Sequence, residues 1–155
     1  MKYTLTGNTK LVGNTTLWQI QATKDFGCVL KGSLGGWIEC EANLSQDGNA
    51  WVFDNAEVFG DATVAGNAKV FGNAKVFGNA WIFGNAIVSG HAIVFGDAEV
   101  SGNARVFGYA RVFGDARVSG YARVSGDAGV FGDAWVFGGT RMSGVAQSKD
   151  SGITC

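Results

Sequence analysis

The sequence contains no proline, a single histidine and only three cysteines, and each scarcity narrows what the protein can be. Cys28, Cys40 and Cys155 are odd in number and are not spaced like metal ligands, so we expect free thiols and no metal site. No apolar run is long enough to cross a bilayer, and the residues after Met1 form no signal-peptide pattern. Together these features predict a cytoplasmic protein.

Excess charge of either sign is also missing, because 12 basic and 13 acidic residues leave a formal net charge of −1. Bulk attraction to nucleic acid or to a membrane surface is therefore not expected. The sequence offers no cofactor-binding motif, and we expect no cofactor. Glycine is abundant, but the apolar residues are periodic, so the chain can bury a continuous core and a disordered state is excluded.

What the sequence does contain is one six-residue unit, repeated sixteen times from Val52 to Gln147 without an insertion. The unit reads V-F-G-D/N/Y-A-x. An aliphatic residue opens every unit except the last, which begins with Met142, and position five is alanine except at Thr140. A unit this short can bury its apolar face only by stacking on copies of itself, which predicts a solenoid.

Within each unit the residues Ala, x, Val and Phe alternate in and out, which is the periodicity of a β-strand. The following Gly-Asn or Gly-Asp suits a tight corner, because both residue types tolerate positive φ. Three strands and three corners make one triangular coil of eighteen residues, with rungs about 4.8 Å apart. We therefore predict an all-β parallel β-helix of about five coils, in which residues eighteen apart form columns.

The residues before the repeats lack the hexad and predict a small β cap over residues 1–47, ahead of the helix at 48–147 and a tail at 148–155. Lys2–Thr6 and Thr16–Ala22 are rich in β-formers, with turn signals at Gly7-Asn8 and at Gly13-Asn14. A solenoid end exposes unpaired backbone groups and needs a cover. The aromatic residues predicted to plug this end are Trp18, Phe26 and Trp37.

Sixteen in-phase hexads, with aliphatic position one and small position five, resemble the hexapeptide-repeat family of left-handed parallel β-helices. That resemblance covers about two thirds of the chain and implies left-handed winding and a trimer. Position two departs from the family, because it is mostly phenylalanine. In addition, the D-F-x-x-V-x-x-G-x-x-G-G-W-I pattern of Asp25–Ile38, with the later Gly48-Asn49-Ala50-Trp51, resembles the N-terminal region of YdcK-type hexapeptide-repeat proteins. That family is often described as transferases by its fold, and no activity is carried over.

One outward column is entirely phenylalanine, whereas the equivalent columns of the other two walls are diluted by serine and alanine. Its members are Phe59, Phe77, Phe95, Phe113 and Phe131. Stacking between neighbouring strands explains part of such a column. A continuous apolar stripe also indicates an interface, either with a second copy or with a different partner.

Two further columns carry charge. The corner after the phenylalanine column carries Asp61, Asn79, Asp97, Asp115 and Asp133. Another wall carries Lys69, Arg105, Arg123 and Arg141, interrupted by Ile87. Aspartates at corners commonly cap their own turns, and arginines commonly form a solvated face. The functional hypothesis is that the arginine column of one copy meets the aspartate column of the next and closes into a trimer. A cation site along the aspartates is a weaker alternative.

Two further features bear on function. Trp81, Glu99, Arg117 and Trp135 form a mixed column in which Glu99 and Arg117 can pair across a rung, and Trp and Arg dominate binding hot spots. Hexapeptide acyltransferases, by resemblance, use a histidine base and a loop that interrupts the helix. Here His91 is a weak catalytic candidate at a corner, and no loop interrupts the repeats.

We therefore predict a non-enzymatic scaffold or interaction protein that self-associates, preferably as a trimer, and binds an unidentified protein through its phenylalanine and arginine columns. One alternative is an acyltransferase. The other is a compact inhibitor of the kind found in phages, which binds a host protein.

Overall fold

A computed structural model describes residues 1–143 and the backbone of residues 147–148 and 152–153. The N-terminal segment begins with three long strands, which are β1 (Tyr3–Val12), β2 (Thr15–Ala22) and β3 (Leu34–Ile38). A single turn of 3-10 helix follows at Glu41–Asn43. The strands β1, β2 and β3 pair antiparallel in that order. Strand β3 then pairs in parallel with the first repeat strand of the same sheet, so the cap continues one wall of the solenoid.

Every later strand is two residues long, and those from Glu57 to Met142 each consist of the last residue of one hexad and the first residue of the next. Three sheets receive these strands in rotation. We call the first the phenylalanine face, because its strands immediately precede the all-phenylalanine column. Its strands are β5 (Glu57–Val58), β8 (Lys75–Val76), β11 (Ile93–Val94), β14 (Arg111–Val112), β17 (Gly129–Val130) and β20 (Gln147–Ser148).

The second sheet is the tryptophan face, which is named for the tryptophans in its outward column. Its strands are β6 (Thr63–Val64), β9 (Trp81–Ile82), β12 (Glu99–Val100), β15 (Arg117–Val118), β18 (Trp135–Val136) and β21 (Gly152–Ile153). All neighbouring strands on this face are parallel, and Glu99 lies beside both Trp81 and Arg117.

The third sheet is the arginine face. Its strands are β4 (Trp51–Val52), β7 (Lys69–Val70), β10 (Ile87–Val88), β13 (Arg105–Val106), β16 (Arg123–Val124) and β19 (Arg141–Met142). Because it holds six strands, the solenoid has about six turns rather than the five expected from the hexads alone. Sixteen strands, β5 to β20, each begin at the last residue of a hexad, and the two further strands that complete six turns are β4 and β21. The predicted all-β parallel β-helix is otherwise confirmed.

The core is a column of alanine and valine side chains that all three faces contribute. In the coil around Val94, for example, Ala92, Val94, Ala98 and Val100 are completely buried. Burying one valine contributes about 1.5–3 kcal/mol, so the stability comes from repetition of a modest term. Backbone hydrogen bonds tie the rungs together, as between the Lys75 amide and the Ala92 carbonyl at 3.0 Å.

The corners require glycine for two separate reasons. Gly96 has a φ of +68°, a conformation that side chains with a Cβ rarely adopt. A Cβ added there would also lie only 2.9 Å from the backbone nitrogen of Gly114, one rung further on. The first hexad departs from this rule at Asp54, which has a φ of +55°. Its carboxylate accepts a hydrogen bond from the Gly72 amide at 3.3 Å.

The cap differs from the sequence-based expectation in two respects. Gly13-Asn14 forms the turn between β1 and β2, but the second expected turn, at Gly7-Asn8, is wrong: these residues lie inside β1, where the register shifts between Leu5 and Thr9. Glycine and asparagine suit a local register shift as well as a turn, so Gly7-Asn8 interrupts the strand pairing without reversing the chain.

The expected plugs were also partly wrong. Phe26 does pack against the core, with its ring 5.3 Å from that of Trp51. Trp18 and Trp37, in contrast, are only half-buried and do not belong to the core cluster. Tyr3, Ile20 and Trp51 close the end of the solenoid instead.

Candidate interaction surfaces

The all-phenylalanine column forms a continuous ladder of stacked rings. From Phe59 to Phe131, neighbouring ring centroids are 5.0, 5.0, 4.9 and 5.3 Å apart, and the ring planes are within 10° of parallel. All five side chains are half-buried. Each ring therefore covers much of its neighbour's apolar surface, and the ladder exposes a narrower stripe than five isolated rings would.

The corner that follows this ladder, between the phenylalanine and tryptophan faces, is the aspartate corner. Backbone hydrogen bonds hold its residues one rung apart, as from the Asp97 amide to the Gly114 carbonyl at 2.8 Å. The Asp97 carboxylate accepts a hydrogen bond from the Asn79 side-chain amide at 3.0 Å. Asp115 and Asp133 are exposed and line a shallow groove with Arg117 and Trp135.

The arginine face brings three guanidinium groups into register. Arg105 lies beside Arg123, and Arg123 lies beside Arg141, on adjacent parallel strands. All three side chains are exposed. Towards the cap, the same column continues as Ile87 and Lys69, so the positive charge is concentrated at the C-terminal half of the solenoid.

The arginine face and the aspartate corner lie on opposite sides of the molecule. The chain visits the phenylalanine, tryptophan and arginine faces in turn, so the corner between the first two is opposite the third. The sequence placed both columns correctly within the repeat. The predicted closed trimer through these two columns stays a prediction.

The tryptophan face presents two exposed indoles on one column. Trp81 is 46% exposed and Trp135 is 48% exposed. Each ring packs against the phenylalanine two residues further on, with centroid distances of 4.5 Å to Phe83 and 5.3 Å to Phe137. Between the two tryptophans, the predicted pair of Glu99 and Arg117 is confirmed as an ion pair.

His91, the weak catalytic candidate, lies on the corner between the arginine and phenylalanine faces. Its ring is exposed and stacks on that of Tyr109, with centroids 4.9 Å apart and planes 4° from parallel. Lys75 and Arg111 line the same shallow groove. The geometry gives His91 an aromatic neighbour and nearby cations, but the described residues place no carboxylate there to orient it as a base.

The described residues contain neither a metal-binding cluster nor a membrane-spanning helix. No group of three or more His, Cys, Asp or Glu side chains in that part of the chain could hold a metal ion. The described residues also include no helix with the length and apolar character needed to cross a membrane. Cys28 and Cys40 are free and exposed, while Cys155 lies outside the described residues.

Comparison with known proteins identifies the type of repeat. Residues 110–126, which span the strands β14, β15 and β16, match a family model described as the YdcK β-solenoid repeat. These coils resemble the YdcK repeat. The resemblance expected from the sequence is thus confirmed. The residues that match the family model lie inside the hexads rather than in the cap.

A curated relative points in the same direction. The chain is 49% identical over 41 residues to a protein of Escherichia coli (strain K12) named "Uncharacterized acetyltransferase YdcK". The aligned stretch is 26% of this chain and only 13% of that relative. The likeness therefore covers a short segment of each protein, and the relative's named activity is not transferred with it.

Sequence reasoning missed one exposed aromatic group at the corners. Tyr121 is 70% exposed at the corner that leads from the tryptophan face to the arginine face. Tyr109, whose ring stacks on His91, is 62% exposed. The signal was present, because tyrosine replaces asparagine or aspartate at hexad position four only at these two corners.

Proposed function

We propose that this chain is a non-enzymatic interaction module that self-associates and binds a protein partner through its outward columns. The exposure of Trp81 and Trp135 on one flat face is the observation that carries this proposal. Tryptophan is highly buried on average, and it is enriched among the residues that dominate protein interfaces. Three rungs separate the two indoles, which places them about 14 Å apart, within one interface footprint.

The surface around these indoles supports a macromolecular partner rather than a small substrate. The repeats run without interruption through the described residues, so no inserted loop encloses a cleft there. The grooves are shallow and open along the flat faces, as in the one lined by Asp115, Arg117 and Trp135. Small-molecule sites are normally concave and bury most of their ligand.

The test of partner binding compares two double variants in a cross-linked capture from native host lysate. Trp81→Ser with Trp135→Ser removes the indoles, and Tyr109→Ser with Tyr121→Ser removes two aromatic side chains that are even more exposed, at two corners. We expect a protein captured by the parent chain to be lost with the tryptophan variant and kept with the tyrosine variant. An unchanged capture profile with the tryptophan variant would contradict a role for this face.

Self-association is the second part of the proposal, and the phenylalanine ladder supports it. The half-buried stripe is apolar along its whole length and borders the aspartate corner. Phe95→Ser with Phe113→Ser interrupts the ladder at its centre, and we expect this variant to be a monomer by light scattering after size exclusion. A double variant that keeps the parent mass would show that the ladder lies outside the interface.

One observation favours the acyltransferase alternative, which is the groove that joins His91 to Lys75 and Arg111. Two cations beside an exposed imidazole could bind the phosphates of an acyl donor and leave the histidine as a base. The name of the Escherichia coli relative is compatible with this alternative. Binding of acetyl-CoA, with turnover that His91→Ala abolishes, would replace the non-enzymatic proposal.

A further inference from the structure

Three arginines on the arginine face carry charge that nothing in the described part of the chain neutralises. The ion pairs among the described residues are Lys10 with Glu57 and Arg117 with Glu99, and neither involves Arg105, Arg123 or Arg141. Because these three lie side by side in register, their charges repel one another. We call Arg105, Arg123 and Arg141 the arginine ladder.

The opposite corner carries a ladder of the other sign. We call Asp97, Asp115 and Asp133 the aspartate ladder; backbone hydrogen bonds of 2.8–2.9 Å from Asp97 and Asp115 to the next rung fix its spacing. None of the three carboxylates forms an ion pair with a cation among the residues that the structure describes. The two ladders share a period of one rung, about 4.8 Å.

The phase of the two ladders also matches. Each aspartate precedes an arginine by eight residues, since 105 − 97, 123 − 115 and 141 − 133 are all eight. In a coil of eighteen residues, this offset is less than half a rung, or about 2 Å along the axis. A second copy that lies parallel and is shifted by this amount would face all three arginines with all three aspartates.

We propose that a second copy of this chain docks its aspartate ladder on the arginine ladder, side by side and parallel. This inference rests on the self-association part of the proposed function and names its contact. Because the ladders lie on opposite sides of the molecule, each docked copy leaves one ladder free. The assembly therefore grows as an open lateral row and does not close into a ring. The phenylalanine ladder borders the docked corner and adds apolar contact.

The charge chemistry determines how this assembly must behave in solution. Exposed ion pairs are weak individually and are screened by salt, so the row is held by several pairs acting together. At about 20 mM salt, we expect the weight-average mass from sedimentation equilibrium to rise with protein concentration without a plateau. At about 500 mM salt, the mass should fall towards that of the monomer.

Isosteric variants test the two ladders separately. Arg105→Gln with Arg123→Gln, and Asp115→Asn with Asp133→Asn, should each weaken association at low salt about tenfold or more. The matched control is Lys75→Gln with Arg111→Gln, which removes the same charge from exposed positions of the phenylalanine face beside the His91 corner and should associate like the parent. Circular dichroism confirms that each variant is folded.

Mixing the two ladder variants gives the sharpest readout. The arginine variant keeps its aspartate ladder, and the aspartate variant keeps its arginine ladder, so one contact remains possible between them. We expect the mixture to form a one-to-one dimer that does not grow further.

Three results would overturn the docking. They are a parent mass that plateaus at a small integer, an association unaffected by salt, and a mixture that stays monomeric. An oligomer that survives both ladder variants but dissociates on Phe95→Ser with Phe113→Ser would preserve the proposed self-association and reject this contact alone.

Discussion

In the N-terminal cap, buried side chains make the hydrogen bonds that join distant segments, whereas in the repeats the backbone makes nearly all of them. The Lys2 ammonium, which is almost fully buried, donates to the Ala50 carbonyl at 2.8 Å and to the Asp47 and Gly48 carbonyls at 3.3 Å. The Tyr3 hydroxyl donates to the Leu44 carbonyl at 2.6 Å. These bonds span more than forty residues of sequence and depend on one particular side chain each.

In the repeats, a uniform pattern of backbone hydrogen bonds joins the segments instead. A rung is satisfied by amide-to-carbonyl bonds to the next rung, and side-chain bonds such as that from Asn79 to Asp97 are exposed additions. A repeat therefore tolerates change in its outward side chains but not in its backbone path. The cap, in contrast, tolerates change in neither its path nor its few buried polar residues.

The largest predicted loss of stability comes from a substitution that disturbs the backbone of the repeats. Gly96→Ala introduces a Cβ at positive φ and within 2.9 Å of the Gly114 backbone, which cannot move without shifting the next rung. Backbone strain and overpacking together should lower the free energy of unfolding by about 4 kcal/mol, as measured by chemical denaturation.

The matched control is Gly13→Ala in the cap turn. Gly13 has a φ of +61°, but nothing lies within 4 Å of its added Cβ. Only the strain of positive φ remains, so the cost should be about 1 kcal/mol. Equal losses for Gly96→Ala and Gly13→Ala would show that rung packing adds nothing to the glycine requirement.

A smaller effect should come from the buried polar residue that joins the cap to the first coil. The Asn43 side-chain oxygen accepts hydrogen bonds from the Glu39 and Cys40 amides, and its nitrogen donates to the Gly60 and Ala62 carbonyls. Asn43→Ala leaves these buried groups without partners and should cost about 3 kcal/mol of unfolding free energy.

Asn79→Ala provides the comparison within the repeats. Its side chain is exposed and makes one hydrogen bond, to Asp97. Removal should change stability by less than about 0.5 kcal/mol. A cost for Asn79→Ala as large as that for Asn43→Ala would contradict the contrast between the two regions.

This contrast also explains how much the sequence could predict. Each hexad residue meets the same neighbours in every coil, so Ala and Val could be placed inside, and Glu99 opposite Arg117, from spacing alone. In the cap, Lys2 donates to the carbonyl of Ala50, which is 48 residues away, and no local sequence pattern predicts this contact. The plugging role expected of Trp18 and Trp37 failed for that reason.

Residue spacing predicted where the candidate surfaces lie, but not how far their side chains are exposed. The columns follow from spacing, but the stacking of the rings from Phe59 to Phe131 depends on side-chain torsions that the hexad does not determine. Opposite placement of the aspartate and arginine ladders follows from the order of the faces, and the row that we propose depends on it.

A pH dependence separates the cap from the repeats without a mutation. Burial lowers the pKa of Lys2 to about 8, against the opposing attraction of Asp47. Between pH 8 and the ordinary lysine pKa of 10.5, the unfolded chain holds a proton that the folded chain does not. The free energy of unfolding should therefore rise with pH in this window, by about 2 kcal/mol between pH 8 and pH 10.

Tyr3 reverses the trend at higher pH. Burial, reinforced by the charge of Glu41, raises the pKa of Tyr3 above its ordinary value of 10. Above pH 10 the unfolded chain loses this proton first, so the stability contributed by Tyr3 declines. Denaturation from pH 7 to pH 11 should show the rise and then the fall. In Lys2→Met the rise should vanish, and a rise that persists would assign it to another group.

The smallest predicted effects come from the two ion pairs, which sharpen the same comparison. Lys10 and Glu57 join the cap to the first coil at 2.7 Å, with side chains 29% and 11% exposed, and the Lys10 ammonium also lies 4.7 Å from the Trp37 ring centroid. The Glu57 Oε1 atom is buried without a hydrogen bond, so Lys10→Gln leaves a buried carboxylate poorly compensated. The expected cost is about 1.5 kcal/mol.

Within the repeats, Arg117 and Glu99 form a looser pair at 3.3 Å, with side chains 59% and 32% exposed. Water screens this pair, so Arg117→Gln should cost at most about 0.5 kcal/mol. A double-mutant cycle with Glu99→Gln isolates the pair energy, which should vanish at high salt. If the cycle gave a coupling as large as the loss for Lys10→Gln, the outward columns would contribute to stability as the cap does. Their charges would then be less available for binding.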